Sequence, residues 1–330
     1  MLKVIHGFVG LLAVCFVLAG MLAGCSDEPG RAATPNVNSS QDVEATKRAA
    51  EQGDAKAQLD LGTMYFQGRG VAKNEVEAAK WFQKAAEQGN ALAQTVLGTL
   101  YREGKGVAQD DAEAVKWFQK AAEQGLAMAQ NELGLMYAEG LGVAKNEAEA
   151  VKWLRKAAEQ GDAKAQYNLG LRYTNGLGVA QDYAEAVKWW QKAVEQGNAA
   201  AQNGLGFMYF KGQGVAQNYA EAVKWYRMAA EQGNAAANYN LGEMYEEGQG
   251  VPQNDDEAQA WFCKAVKQGA VEELNGVAEQ GDADAQYYLG LIYGKGRCLP
   301  KDPAAAREWY QKAAAQGHED AKKELEALRN

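Results

Sequence analysis

The chain has 330 residues, a net charge of −9 at pH 7 and an isoelectric point near 5.0. Lysines and glutamates are interspersed and form no basic stripe, so the electrostatic footprint of a nucleic-acid-binding protein is missing. A single hydrophobic core rarely serves a chain of this length, whereas tandem repeats avoid the limit because each contacts only its neighbours.

Residues 1–25 are predicted to be an export signal. Lys3 is the only charged residue before an apolar run that ends in Leu22-Ala23-Gly24-Cys25. A small-residue site after such a run is typical of a cleaved signal peptide. The alternative is an uncleaved membrane helix, because the run approaches spanning length.

A polar tether and a capping helix are predicted next. Residues 26–41 contain two prolines and no apolar period, which is typical of a flexible linker. Residues 42–53 read as a lone helix that caps the N-terminal end of a repeat array. Ala45 stands where later repeats have Trp, and a first helix has no preceding repeat against which a large side chain could pack.

One 36-residue pattern then fills the chain. A glycine that ends Glu-Gln-Gly, or a close variant, recurs at this period at Gly53, Gly89, Gly125, Gly161, Gly197, Gly233 and Gly269, and again at Gly281 and Gly317. Columns of Trp, Leu-Gly and Tyr keep the same spacing. The pattern predicts six repeats over residues 54–269 and a seventh over residues 282–317.

Each repeat is predicted to be a helix pair. Ala129, Leu133, Met136 and Tyr137 follow the i, i+4, i+7, i+8 spacing of a first helix, and a Trp-bearing second helix follows. Asp or Asn before most helices reads as an N-cap, and before six of the second helices an acid three residues later gives the capping-box signature. Gly134 lies inside a helix, where glycine costs about 1 kcal/mol relative to alanine. We expect it to allow close helix approach, with the neighbouring Trp filling the gap.

The motif A-x-A-Q-x-x-L-G-x-x-Y-x-x-G-x-G-V…D-x-x-E-A-x-x-W-x-x-K-A-A-x-x-G resembles the Sel1-like repeat, a relative of the tetratricopeptide repeat. The resemblance implies an all-α fold, a right-handed αα-solenoid of seven 36-residue repeats with helical caps. It also implies protein–protein adaptor work and no catalytic residues. The departures are Cys298, which replaces a loop glycine, and residues 270–281.

The end of the signal also resembles the lipobox of bacterial lipoproteins. This resemblance implies a diacylglycerol on Cys25, cleavage before that residue and acylation of the new N-terminus. Stable anchoring takes two or more chains, which this modification supplies. Ser26 rather than Asp follows Cys25, which resembles an outer-membrane lipoprotein facing the periplasm.

Residues 270–281 interrupt the period. They fit the end of a second helix whose first helix is missing, and we interpret them either as a deletion that the array tolerates with a kink or as a hinge. Residues 318–330 keep an apolar stripe of Ala321, Leu325 and Leu328, which predicts a C-terminal capping helix.

If Cys15 is removed with the signal peptide and Cys25 is acylated, two cysteines remain in the mature protein. Export would place Cys263 and Cys298 in an oxidising compartment, where a pair favours a disulfide. We predict a bond between them across residues 270–281; the alternative is two free thiols.

The sequence offers little material for catalysis. The two histidines are His6, in the signal, and His318, which is predicted to be a helix N-cap. The loop glycines lack the Lys-Ser/Thr context of a phosphate loop. No catalytic, cofactor-binding or metal-binding residue is therefore predicted, although a paired-carboxylate hydrolase stays open.

The outward positions of the first helices vary, and later repeats carry aromatic residues there. Exposed aromatic clusters are typical of interaction surfaces, although these rings could instead pack between helices. The candidate partner-binding residues are Tyr167, Leu171, Phe207, Phe210, Tyr239, Tyr287, Tyr288 and Leu291.

The sequence as a whole predicts a membrane-anchored periplasmic scaffold that binds an envelope protein or peptide on its first-helix face. Two alternatives come from other function classes. One is a cell-wall-directed or β-lactamase-like hydrolase, activities to which some Sel1-like proteins have been linked. The other is a structural spacer within the envelope.

Overall fold

The computed structural model describes residues 40–296 and 299–328, and every regular element in these residues is an α-helix. The predicted signal peptide, the predicted lipid-attachment residue Cys25, most of the predicted tether and Cys298 lie outside the described residues. The prediction of an all-α solenoid of seven helix-pair repeats with helical caps is confirmed.

The helices follow the predicted order. The first helices of the seven repeats are α2 (Ala55–Gln67), α4 (Ala91–Glu103), α6 (Ala127–Glu139), α8 (Ala163–Asn175), α10 (Ala199–Lys211), α12 (Ala235–Glu247) and α15 (Ala283–Lys295). The second helices are α3 (Glu75–Glu87), α5 (Asp111–Glu123), α7 (Glu147–Glu159), α9 (Tyr183–Glu195), α11 (Tyr219–Glu231), α13 (Asp255–Lys267) and α16 (Pro303–Ala315). Outside the repeats lie α1 (Ser40–Glu51), α14 (Ala270–Glu279) and α17 (Glu319–Ala327).

The chain forms two compact units. The described part of the N-terminal unit is residues 40–182, and that of the C-terminal unit is residues 183–296 and 299–328. In both units buried alanines, leucines and aromatic rings from adjacent helices form the core.

Helix starts use half of the predicted capping box. The side chain of Asn74 accepts the backbone N–H of Glu77 at 3.1 Å, as an N-cap should. The N–H of Asn74 itself donates to the carbonyl of Tyr65, near the end of α2, at 2.9 Å. The Glu77 carboxylate instead accepts from Lys80 at 2.6 Å. A backbone hydrogen bond therefore joins the end of α2 to the start of α3.

The two helices of a repeat approach closely at the in-helix glycine, as predicted. A Cβ added at Gly98 would lie 2.8 Å from the Phe118 ring, and one at Gly134 would lie 2.8 Å from Leu154 Cγ. The expectation that the Trp fills this gap is wrong. The residue after the Trp fills it, because that position faces the first helix of the same repeat, whereas Trp81 packs with the core residues of α1 and α2.

Tryptophans carry lysines on their outer faces. In six repeats the ammonium group of the lysine three residues later lies 3.6–4.3 Å from the Trp ring centroid. Such contacts stabilise exposed sites by roughly 0.5–1 kcal/mol. In the fifth repeat Met228 takes the lysine position and is left exposed.

A buried glutamine ties three helices together in each of several repeats. The amide nitrogen of Gln130 donates to the carbonyl of Ala122 in the preceding second helix at 3.1 Å. Its amide oxygen accepts from Gln160 of its own second helix at 2.7 Å. Gln58 and Gln94 make the same two bonds. Since a buried amide needs hydrogen-bond partners, these two hydrogen bonds define how consecutive repeats dock.

The short helix α14 takes the place of a second-helix end. Val271, Leu274 and Ala278 share a core with residues of α15. Gln286 donates to the carbonyl of Ala278 at 2.9 Å, eight residues earlier, as Gln58 does to Ala50. The seventh repeat therefore docks onto α14 as other repeats dock onto a full second helix.

Cys263 of α13 takes part in a disulfide bond. The predicted partner, Cys298, lies outside the described residues, so the pairing stays a prediction. A bond between these two cysteines would link α13 to the loop of the seventh repeat across α14.

Two glycine substitutions should act in opposite directions. A Cβ at Gly206 would lie 2.5 Å from the Tyr226 ring, so Gly206→Ala should lower the free energy of unfolding by about 1–3 kcal/mol. Gly276, in α14, has nothing within 4 Å of an added Cβ, so Gly276→Ala should raise it by roughly 0.5–1 kcal/mol. Urea unfolding followed by circular dichroism measures both. A Gly206→Ala protein as stable as the parent would contradict the close-approach argument.

The disulfide has its own test. Denatured, unreduced mature protein should bind no maleimide, and Cys298→Ser should expose one reactive thiol at Cys263. Mass spectrometry counts the added groups. One or two modified thiols in the unreduced parent protein would show that the pairing is wrong.

Candidate functional site

Half of the candidate partner-binding residues are buried. Tyr167, Leu171, Phe207 and Leu291 are only 3–8% exposed. The prediction that these four side chains point outward is therefore wrong. They contribute to packing, which is the alternative that the sequence left open.

The reason is apparent from the residues that stand at the position of Tyr167 in other repeats, a set of equivalent positions that we call a column. The residues at the same position of the third and fifth repeats are Asn131 and Asn203, which accept side-chain hydrogen bonds from Asn168 and Asn240 in the next first helix, both at 2.9 Å. This column therefore faces the next repeat. Burial accordingly raises the pKa of the Tyr167 hydroxyl. Leu291 packs into the core around Ala306 and Tyr310 of α16.

Three of the remaining candidates meet in the C-terminal unit. Tyr239 of α12 and Tyr288 of α15 form a T-shaped ring pair with centroids 5.4 Å apart. Tyr287 lies 5.7 Å from Tyr288 and stacks on His318 at 4.5 Å. All four side chains are half-buried. We call this set the tyrosine patch: Tyr239, Tyr287, Tyr288 and His318.

The tyrosine patch rests on buried rings. Tyr239 packs against Phe262 at 5.2 Å, and Tyr287 packs against Tyr310 at 5.9 Å. Phe262 and Tyr310 are also the residues that fill the gaps beside Gly242 and Gly290. The close approach within each repeat therefore positions the partly exposed rings.

His318 has a second task that the sequence did not reveal. As predicted, it caps α17: its Nδ1 accepts the backbone N–H of Ala321 at 3.3 Å. Its stacking on Tyr287 was missed. The available signal was that His318 is the one aromatic ring at a position that is Asp, Asn, Leu or Ala after the other unit-ending glycines.

Phe210 does not join the patch. It is half-buried at the end of α10, where its ring lies 5.6 Å from Tyr219 and 4.9 Å from the Lys211 ammonium group. It offers a separate, smaller aromatic surface in the same unit.

Charged groups in the N-terminal unit form structural pairs between repeats. Arg102 pairs with Glu132 of the next first helix, and Arg172 pairs with Glu147 at 2.8 Å. Arg172 stands in a column of otherwise apolar residues that includes Met136. Burial also raises the pKa of the Glu139 carboxyl, and the charges of Arg102 and Arg172 oppose this shift. These carboxylates serve contacts between adjacent repeats.

Among the residues that the structure describes, no group of three or more His, Cys, Asp or Glu side chains is arranged to hold a metal ion. Within the same residues, no helix has the length and apolar character needed to cross a membrane.

Comparison with known proteins gives the family. The Sel1 repeat model matches residues 55–90, 91–126, 127–162, 163–198, 199–234, 235–269 and 283–318. The chain is 44% identical over 68 residues to the secretory immunoglobulin A-binding protein EsiB of Escherichia coli O6:H1, which covers 21% of this chain and 13% of that protein.

Two crystal structures are similar over most of this chain. One is c5321, a protective antigen present in uropathogenic Escherichia coli strains, with 44% identity, a TM-score of 0.63 and coverage of 87% of this chain and 59% of that one. The other is a Sel1 repeat protein from Oxalobacter formigenes, with 34% identity, a TM-score of 0.62 and coverage of 79% and 96%. The chain thus spans about an eighth of EsiB and about three fifths of c5321.

The seven matched segments coincide with the seven helix pairs, and they extend over well more than half of the chain. The chain belongs to the Sel1 repeat family.

Proposed function

We propose that this chain is a membrane-anchored periplasmic scaffold that holds an envelope protein or peptide on its tyrosine patch. Sel1 repeat proteins typically mediate protein–protein interactions. The observation that carries the proposal is the patch itself, in which three tyrosines and a histidine from three helices are half-exposed and in ring contact.

The chemistry of the patch suits a protein partner. A tyrosine side chain presents a large apolar ring and a polar hydroxyl, and such residues dominate the energetic centres of protein interfaces. The rings are held by Phe262 and Tyr310 beneath them, so little side-chain freedom is lost when a partner binds.

The anchor is supported by the sequence Leu22-Ala23-Gly24-Cys25 and by the polar stretch that follows it. Lipid on Cys25 would hold the first capping helix within a short tether of the membrane, and Ser26 favours the outer membrane. The hydrolase and spacer alternatives would be favoured if the protein captures no partner.

EsiB suggests a second candidate partner. Its name states that it binds secretory immunoglobulin A, and the 68 matched residues are 44% identical. Secretory immunoglobulin A should therefore be tested as a binding partner in addition to the envelope extract.

Affinity capture should locate the partner site. Tyr239→Leu, Tyr288→Leu and His318→Asp together remove three rings, while Leu keeps apolar contact and Asp caps helices elsewhere in the array. Loss of hot-spot rings should weaken binding at least about 30-fold. Mature protein should therefore retain an envelope partner, or secretory immunoglobulin A, that the triple variant releases.

The matched control is Phe210→Leu with Tyr219→Leu, an aromatic pair outside the patch in the same unit. All three proteins should show equal helicity and equal melting temperature before capture. A partner that the triple variant retains would place the site elsewhere. If the parent protein captures no partner, the scaffold proposal is wrong, and assays of wall hydrolysis would then separate an enzyme from a spacer.

The anchor has a separate test. Cys25→Ser removes the acceptor of the lipid, so mass spectrometry of the variant should show no added acyl chains. Mass spectrometry of the parent protein should show the added acyl chains on an N-terminal cysteine. A parent protein without these chains would contradict the anchor.

A further inference from the structure

The sixth repeat differs from the others on the first-helix face. Tyr239, Glu243 and Glu246 follow one another at i, i+4 and i+7 along α12, so they share one face of the helix. All three side chains are half-buried. At the two glutamate positions the other six repeats carry Thr, Leu, Phe, Ala, Gly or Arg, so paired carboxylates are particular to this repeat.

These carboxylates lie beside the tyrosine patch. Glu243 is one turn from Tyr239 on α12, and Glu246 reaches Lys295 at the end of α15, with Oε1 and Nζ 3.3 Å apart. The same helix α15 carries Tyr287 and Tyr288. The negative charge of Glu243 also contributes, after burial, to the raised pKa of the Tyr226 hydroxyl.

The surrounding sequence strengthens the negative charge. Between residues 235 and 296 the basic residues are Lys264, Lys267 and Lys295. The acidic residues of the same segment are Glu243, Glu246, Glu247, Asp255, Asp256, Glu257, Glu272, Glu273, Glu279, Asp282 and Asp284. A partner of opposite charge would be drawn to this part of the protein.

We propose that the tyrosine patch together with Glu243 and Glu246 binds an arginine-bearing segment of the partner protein. The inference rests on the proposed function and adds the chemistry of the partner. A guanidinium group stacks on a tyrosine face and donates two hydrogen bonds to a carboxylate, and this surface offers both groups on adjacent helices. The Lys295–Glu246 pair is exposed enough to exchange for an incoming arginine at little cost.

The probe is a fluorescent peptide with three arginines spaced by glycine and serine, titrated into the full mature chain by anisotropy. The same peptide with glutamate in place of arginine should not bind. Glu243→Gln with Glu246→Gln keeps the side-chain size and removes two charges, and it should weaken arginine-peptide binding about tenfold or more. Binding should also weaken as salt is added.

The matched control is Glu195→Gln with Glu231→Gln, which changes net charge equally at exposed positions on second helices of the same unit. It should leave the affinity within about twofold, because both residues lie at the ends of second helices and salt screens exposed charges. Equal weakening by both double variants would reduce the effect to net charge and overturn the proposed site. Equal affinity for arginine and lysine peptides would contradict the guanidinium assignment.

The capture experiment separates the two proposals. If a partner is lost with Tyr239→Leu, Tyr288→Leu and His318→Asp but kept with Glu243→Gln and Glu246→Gln, the scaffold function stands and the cationic chemistry is wrong. If no partner is captured at all, the scaffold function itself is wrong, whatever the peptide does.

Discussion

The close approach of two helices at a single in-helix glycine is the constraint on which the rest of the structure depends. At Gly98, Gly206 and their equivalents an added methyl group would collide with a buried side chain of the second helix. Glycine is unfavourable in a helix by about 1 kcal/mol, and burying a Phe or Tyr side chain against it returns roughly 1.5–3 kcal/mol. In most repeats an aromatic ring fills this gap, and in the sixth and seventh repeats that ring supports the tyrosine patch.

The second requirement is that consecutive repeats dock in one register. A buried polar side chain fixes this register within an otherwise apolar interface. A buried glutamine bonds to a carbonyl of the preceding second helix and to a glutamine of its own. An unsatisfied buried amide costs about 1–3 kcal/mol, so shifted dockings are disfavoured. The same bond from Gln286 to Ala278 explains how α14, although shorter than a second helix, still provides a platform for the seventh repeat.

The tyrosine patch lies between the sixth and seventh repeats, where the short helix α14 interrupts the regular array. In the third and fifth repeats the position of Tyr239 is held by Asn131 and Asn203, whose amide oxygens accept hydrogen bonds from the next first helix. In the sixth repeat a tyrosine fills this column and meets a tyrosine of the seventh across a ring contact. These rings stay half-exposed, whereas Tyr167 at the same position of the fourth repeat is buried, and they lie next to carboxylates that the other repeats lack at those positions.

The sequence by itself determined the helix-pair repeat, its boundaries and most of its N-caps, because a 36-residue period with helical apolar spacing and Asp or Asn before most helices is a local signal. It also indicated that glycine allows close approach. Only the tertiary structure decided which side chain fills that gap, and that Tyr167, Leu171, Phe207 and Leu291 are buried while Tyr239, Tyr287 and Tyr288 are partly exposed. Periodicity gives the direction of a side chain from its own helix axis. Its exposure depends on the neighbouring repeat that packs over it, and this information lies tens of residues away in the chain.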